Sequence, residues 1–126
     1  MVLPILVVED NNINREVAVL QLRALGFDTV IADDGFAAIE AVKRQQFAMI
    51  LMDVMMPAMD GWEAANKIRE WEKTQGSHTP IIGCSAWSAS DNRQRCLEAG
   101  MDDYLSKPYE RSALQSLINH YVKVAK

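Results

Sequence analysis

The stretch MILMDVMMPAMDG, residues 49–61, decides the fold. It begins with four consecutive apolar residues, and a short continuous run of this kind is typical of a strand buried on both faces, as in a parallel sheet. Asp53 follows at once, and Gly61 precedes a segment that we expect to be helical to about Lys73. The stretch therefore predicts a strand, a loop that opens on an acidic residue, and a helix.

Similar short apolar runs recur along the chain and alternate with helical segments. The predicted strands are residues 5–8, 29–32, 49–52, 81–84 and 103–105. Five strand–helix units in succession predict a parallel sheet with helices on both faces. The expected fold class is α/β, a flavodoxin-like doubly wound (βα)5 fold with strand order 2-1-3-4-5, in a single domain over residues 1–126.

Capping residues and helical spacing predict the helices. The residues interpreted as caps or stops are Asn11, Asn12, Gly26, Asp34, Gly35, Ser88, Ser90 and Gly100. The predicted apolar face of the first helix consists of Ile13, Val17, Leu20 and Ala24. That of the last helix consists of Leu114, Leu117, Ile118, Tyr121 and Val122.

Composition excludes several classes of protein. The net charge is −4 and the 13 basic residues are scattered, which argues against direct nucleic acid binding. Cys84 and Cys96 have the spacing of neither a redox pair nor a zinc site. No stretch reaches the length of a membrane span, and no signal peptide is evident, so we expect a cytoplasmic location.

Polar residues follow the predicted strands where the fold would bring the strand ends together. They are Glu9 and Asp10, then Asp53, then Ser85 and Ala86, and finally Lys107 followed by Pro108. Ligands of open α/β sheets bind at this edge. Three carboxylates in one crevice need a compensating cation, and hard oxygen ligands suit Mg²⁺. A metal and a lysine can neutralise a transferring phosphoryl group while a carboxylate attacks, which would give an acyl phosphate on Asp53.

At these residues the chain resembles the receiver domains of response regulators and hybrid sensor histidine kinases. The matching stretches are ILVVEDNNINREV (5–17), ILMDVMMPAMDG (50–61), PIIGCSA (80–86) and DDYLSKP (102–108). The opening VEDN-x-x-N form is most similar to the receivers of hybrid kinases and phosphorelays. The resemblance implies a phosphorylation-dependent switch in signal transduction rather than an enzyme, one that catalyses its own phosphotransfer and slow dephosphorylation.

The resemblance also implies a role for each matching position. Asp53 would be the phosphoacceptor and Lys107 would contact the phosphoryl group. The expected ligands of Mg²⁺, with Mn²⁺ as an alternative metal, are Glu9, Asp10, Asp53 and the backbone carbonyl of Met55. Ser85 would be the switch hydroxyl, and Tyr104 would swing inward when Ser85 moves toward the phosphate. The face formed by the fourth helix, fifth strand and fifth helix would then change shape.

Further positions follow from their neighbours in the sequence. Ala86 and Trp87 would lie beside the phosphoryl group, and we hypothesise that Trp87 and Met55 hinder the attack of water on it. The alternative is that Trp87 lies on the surface or packs on the fourth helix. The phosphodonor would be a histidine kinase or a histidine phosphotransfer domain. It would dock on residues that flank the site, namely Ile13, Asn14, Pro108 and Tyr109. A phosphorylation-dependent homodimer through the switch face is compatible with this pattern.

Three alternatives use similar sheets. An aspartyl-phosphate phosphatase would carry a second acid two residues after the nucleophile, where this chain has Met55. A flavin-binding protein would have a Ser-, Thr- and Gly-rich first loop, whereas this loop opens with Glu9 and Asp10. A pseudo-receiver would keep the fold and never be phosphorylated, and a failure to accept phosphate in vitro would distinguish it.

Overall fold

The computed structural model describes residues 3–85, 89–107 and 110–122, with the side chains of the fourth helix described from Arg93 onward. Five parallel strands form one sheet in the order β2-β1-β3-β4-β5, as predicted. The elements are β1 (Ile5–Val8), α1 (Asn12–Ala24), β2 (Thr29–Ala32), α2 (Gly35–Arg44), β3 (Met49–Asp53), α3 (Gly61–Gln75), β4 (Ile81–Ser85), α4 (Ala89–Glu98), β5 (Asp103–Ser106) and α5 (Arg111–Tyr121). Within these described ranges, no helix is long and apolar enough to cross a bilayer.

Both faces of the sheet are packed because alternate residues of each strand point to opposite sides. In β1, Leu6 and Val8 join one core cluster, which α2, α3 and α4 cover, and Ile5 and Val7 join the other, which α1 and α5 cover. All residues of β1, β3 and β4 are buried, which explains their continuous apolar sequence. The edge strands β2 and β5 are only partly buried.

The first helix corrects one prediction. Asn11 caps it as expected, since its side chain accepts a hydrogen bond from the backbone of Asn14. The buried residues of α1, however, are Ala18 and Leu22. The predicted apolar face lies outward: Ile13 is 74% exposed, and Val17, Leu20 and Ala24 are exposed with it. The prediction was wrong because α1 carries apolar residues on several of its sides. Spacing alone therefore did not identify the side that packs on the sheet.

Element boundaries differ from the predictions by one or two residues. The third helix continues to Gln75, and Gly76 then ends it in the left-handed conformation with φ of +66°. Three strands extend one residue further than predicted, to Asp53, Ser85 and Ser106. Ser90 lies inside α4 rather than before it, and Ser88 lies outside the described residues.

A partly buried ionic network closes the edge of the sheet where β4 and β5 begin. The guanidinium of Arg69 pairs with Glu72 at 2.5 Å and with Asp102 at 2.6 Å. It also donates to the backbone carbonyls of Thr79 and Gly100 at 2.8 and 2.7 Å. Glu72 is only 4% exposed, so the guanidinium of Arg69 compensates a carboxylate charge that is removed from water. The network joins α3 to both segments that lead into the last two strands.

Candidate functional site

Three carboxylates meet at the opposite edge of the sheet, where the strands end. The register of β1 and β3 sets Val8 beside Met52, so the residues that follow, Glu9 and Asp53, come close together. Carboxylate oxygens of Glu9, Asp10 and Asp53 lie within 4.8 Å of one another. Glu9 and Asp53 are buried, whereas Asp10 is exposed to solvent. The cluster is therefore open to solvent on the side of Asp10.

Lys107 supplies the positive charge of the site. Its ammonium lies 2.5 Å from Glu9 Oε1 and 3.3 Å from Asp53 Oδ1. The backbone N–H of Lys107 donates to the carbonyl of Ser85 at 2.8 Å, which fixes the chain where it leaves β5. The side chain is 15% exposed, so the two ion pairs act in an environment with little solvent screening.

The ionisation of the two buried acids differs. Burial and the hydrogen bond with Glu9 raise the pKa of Asp53 to about 7, and Lys107 opposes part of this rise. Burial also opposes the ionisation of Glu9, but hydrogen bonds with Lys107 and Asp53, together with the charge of Lys107, outweigh it and hold the pKa of Glu9 below its usual value. Glu9 and Asp53 also raise the pKa of Lys107 against the effect of its burial. At neutral pH Lys107 and Glu9 are therefore charged, while Asp53 is close to its titration midpoint.

Gly61 supports the backbone of Asp53. A Cβ atom at position 61 would lie 2.4 Å from the carbonyl oxygen of Asp53, a distance that no real side chain could adopt. The N–H of Gly61 donates to the carbonyl of Val54 at 2.9 Å, and the N–H of Val54 donates to Cys84. The sequence pattern indicates only that Gly61 precedes a helix. The signal that could have revealed this contact is a glycine at the first helical position, where other residues are more favourable.

The switch residues predicted from the sequence, Ser85 and Tyr104, are buried in the last two strands of the sheet. Ser85 is 1% exposed, at the end of β4, and Tyr104 is 8% exposed, in β5. The hydroxyl of Tyr104 donates to the backbone carbonyl of Ser85 at 3.2 Å. The aromatic ring therefore already lies inward in this structure. The proposed motion of these two residues stays a prediction.

The remaining predicted residues differ in how much the structure says of them. Met55 is 49% exposed, and its N–H donates to Asp53 Oδ1 at 3.3 Å. Ile13 and Asn14 are exposed near the start of α1. The predictions for Ala86, Trp87, Pro108 and Tyr109 fall outside the described residues.

The donor set fits a small hard cation. Glu9, Asp10 and Asp53 offer carboxylate oxygens and no sulfur or imidazole ligand, and this is the chemistry that Mg²⁺ prefers. The exposure of Asp10 leaves room for the water ligands that Mg²⁺ keeps. The charge of Lys107 alone compensates one of the three carboxylates, so a divalent ion would bring the cluster close to neutral.

Comparison with known proteins identifies the family. The sequence profile of the response regulator receiver domain matches residues 5–119. The chain belongs to this family. This receiver domain is 42% identical to the hybrid signal transduction protein dokA of Dictyostelium discoideum over 119 residues, which are 94% of the chain and 7% of dokA. The receiver spans 7% to 15% of the length of the curated relatives that it matches here.

Solved structures of similar receivers agree with this assignment. The receiver domain of the sensor histidine kinase PA1611 from Pseudomonas aeruginosa, solved with magnesium in its active site cleft, is 38% identical. It aligns with a TM-score of 0.85 over 96% of this chain and 98% of that one. The receiver domain of Ssk1 from Saccharomyces cerevisiae, solved with the histidine phosphotransfer protein Ypd1, is 30% identical. Its TM-score is 0.87, over 97% of this chain and 92% of that chain.

Proposed function

We propose that this receiver accepts a phosphoryl group on Asp53 from a phosphohistidine donor, in a Mg²⁺-dependent reaction, and thereby relays a signal. The observation that carries the proposal is the single cluster in which Lys107 lies 3.3 Å from Asp53 while Glu9 and Asp10 offer further carboxylates. Family membership supports it, because receivers act as phosphotransfer switches. A raised pKa at a buried carboxylate beside a lysine and an exposed acid is typical of a functional site.

The transfer needs an ionised carboxylate. An Oδ atom of Asp53 attacks the phosphorus, a new P–O bond forms, and the P–N bond of the donor breaks. The imidazole of the donor leaves with the electron pair of that bond and takes up a proton from solvent. The ammonium of Lys107 is close enough to Asp53 to shift onto an incoming phosphoryl oxygen and stabilise its charge.

Mg²⁺ fits the residues that are present. Glu9, Asp10 and Asp53 would hold it, with the backbone carbonyl of Met55 as a further ligand. When bound, the ion would neutralise charge on the phosphoryl oxygens. The similar receiver of PA1611 was solved with magnesium in its active site cleft, which supports the choice of metal.

The response is proposed to pass from Ser85 to the face formed by α4, β5 and α5. The hydroxyl of Ser85 would donate a hydrogen bond to a phosphoryl oxygen. The hydroxyl of Tyr104 donates to the backbone carbonyl of Ser85. Movement of Ser85 would therefore displace the acceptor of Tyr104, which lies in β5. The new bonds would bias a two-state equilibrium of this face and alter the binding of a downstream partner.

The donor is proposed to dock beside α1. Ile13 is 74% exposed and lies in the first turn of α1, three residues after Asp10, and Leu20 is 64% exposed further along the helix. An exposed apolar helix face suits a helical partner. A histidine kinase or histidine phosphotransfer domain is the expected class, because the similar receiver of Ssk1 was solved with the phosphotransfer protein Ypd1.

The proposal can be tested by intact-protein mass after incubation with acetyl phosphate, with and without Mg²⁺. We expect a Mg²⁺-dependent gain of one phosphoryl group in the natural protein and no gain in Asp53→Asn. The control is Asp33→Asn, which removes an exposed carboxylate that pairs with Arg15 on the same edge of the sheet. If neither acetyl phosphate nor a phosphorylated histidine phosphotransfer protein labels the natural protein, the chain is a pseudo-receiver.

A further inference from the structure

Trp62 joins α3 to α4 through two contacts. Its indole N–H donates to the sulfur of Cys96 at 3.4 Å. The guanidinium carbon of Arg95 lies 3.9 Å from the centre of the Trp62 ring, the geometry of a cation–π contact. Both partners belong to α4, so one side chain of α3 contacts two successive residues of that helix.

The same cysteine also contacts the sheet. Cys96 is fully buried, and a Cβ atom at Gly83 would lie 2.7 Å from its sulfur. Cys96 thus lies between the indole of Trp62 and the bare backbone of β4. Among residues 93–98 of α4, it is the buried position, while its neighbours in that range are exposed. Cys96 is therefore the buried attachment of the described part of α4, and the more exposed Arg93 adds an ion pair with Asp103 of β5 at 3.5 Å.

Trp62 is connected to the acidic cluster through the chain itself. It directly follows Gly61, which packs against the carbonyl of Asp53 and donates to the carbonyl of Val54 at 2.9 Å. A change in the backbone at Asp53 must therefore move Gly61 or strain this contact, because the two backbones touch. Trp62 would carry that change into α4.

We infer that Trp62 is a positioning residue for α4 and forms a second connection between Asp53 and the switch face, separate from the one through Ser85 and Tyr104. The inference rests on the proposed function for the direction in which the signal passes. The contacts with Cys96 and Arg95 hold α4 in the position seen here. Loss of these contacts shifts the equilibrium of α4 toward the position that it takes on phosphorylation.

The anchor itself can be tested without phosphorylation. Amide hydrogen exchange is measured in Trp62→Leu, in Arg95→Gln, and in Trp71→Leu as the matched control. Trp71 also lies on α3, where it lines a surface pocket together with Val42 and Phe47. Relative to the amides of β3, we expect protection of residues 93–98 to fall about tenfold in Trp62→Leu and by a smaller factor in Arg95→Gln. Equal protection in Trp62→Leu and the control would overturn the inference.

The connection to Asp53 needs a second measurement. Backbone NMR shifts of α4 are recorded for the natural protein with and without acetyl phosphate and Mg²⁺, and then for the unphosphorylated variants. We expect the α4 shifts of Trp62→Leu to lie part of the way toward the phosphorylated positions, and those of Trp62→Phe, which keeps a ring beneath Arg95, to lie nearer the natural ones. Shifts of Trp62→Leu that depart in another direction would contradict a signalling role. If the natural protein gains no phosphate, the proposed function fails, while the exchange experiment still decides whether Trp62 anchors α4.

Discussion

Lys107 is held closer to Glu9 than to Asp53, with its ammonium 2.5 Å from the first carboxylate and 3.3 Å from the second. The charge of Glu9 is therefore better compensated, and its pKa is lowered. Burial dominates at Asp53, and its pKa is raised. This asymmetry separates the ionisation of two acids in one cluster. It leaves Asp53, the proposed nucleophile, as the group whose charge state responds to pH near neutrality.

The raised pKa of Asp53 predicts how its removal changes stability. Its pKa is about 7 in the fold against a usual value of 3.8, so between these values the folded state binds more protons than the unfolded state. Folding stability from this group therefore falls as pH rises from about 4 to about 7, and the full cost remains above 7. In a chelating buffer, we expect Asp53→Asn to raise the free energy of unfolding at pH 8 by on the order of 1 to 3 kcal/mol, and by much less at pH 4.

Thermal or urea unfolding over this pH range measures the effect. Asp33→Asn, at an exposed carboxylate, corrects for the loss of one negative charge. A gain in Asp53→Asn that did not grow with pH would show that Asp53 is not destabilised by burial. Saturating Mg²⁺ should reduce the advantage of the variant, because the ion would bind the natural cluster more tightly and stabilise it.

The charge of Lys107 should matter for the transfer as well as for the stability of the buried acids that it pairs with. We expect Lys107→Met to slow phosphorylation by acetyl phosphate about 10- to 100-fold, because no ammonium would stabilise the transferring group. Lys67→Met, on the exposed side of α3, is the control. Quenched time courses of the intact mass give the rates, and equal rates in both variants would exclude a role for Lys107 in the transfer.

The hydroxyl of Ser85 should separate phosphorylation from the response. It is fully buried, so Ser85→Ala removes one oxygen and leaves the backbone in place. We expect this variant to gain phosphate, while the phosphorylation-dependent NMR shifts of β5 and α4 become smaller. Ser106→Ala, at the exposed residue paired with Ser85 in the sheet, is the matched control. Full shifts in Ser85→Ala would remove it from the switch.

The exposed side of α1 should control the protein donor and leave the small-molecule donor unaffected. We expect Ile13→Asp to reduce transfer from a phosphorylated histidine phosphotransfer protein, for which yeast Ypd1 can serve as the probe, by about tenfold or more. Acetyl phosphate, which needs no docking surface, should label the variant at the natural rate. Leu97→Asp places the same charge at an exposed apolar residue of α4. Equal losses in both variants would contradict docking at α1.

The network around Arg69 should contribute to stability alone. Arg69→Met would leave the buried carboxylate of Glu72 without its ion-pair partner, and we expect a loss of about 3 to 5 kcal/mol in the free energy of unfolding. Below its new unfolding temperature, the variant should still gain phosphate at close to the natural rate. Lys73→Met, on the same helix, controls for charge. A large loss of phosphorylation in the folded variant would show that this network also shapes the distant site.

The sheet and the cluster could be predicted because their causes are local. Continuous apolar runs mark the buried strands, and the residues directly after parallel strands must meet at one edge. Glu9, Asp10, Asp53 and Lys107 do lie together there, although their individual roles remain predictions. The predicted strand order and the predicted family are also confirmed.

What could not be predicted depends on packing between distant segments. The contact between Trp62 and Cys96 joins residues 34 positions apart, and no periodicity encodes it. The packed side of α1 was assigned wrongly, because Ile13 and Leu20 have the right spacing for a core but face solvent. Apolar side chains that face solvent cannot be distinguished from core residues in a single sequence, because spacing and polarity are the same.

The Arg69 network lies at the edge where β4 and β5 begin, and the acidic cluster lies at the edge where β1 and β3 end. Substitutions near the acidic cluster can therefore accumulate at one edge of the sheet and leave the ion pairs that stabilise the fold at the other edge unchanged. Such a separation makes the domain tolerant of divergence: copies can acquire new partners while remaining within the narrow margin of stability that folding requires.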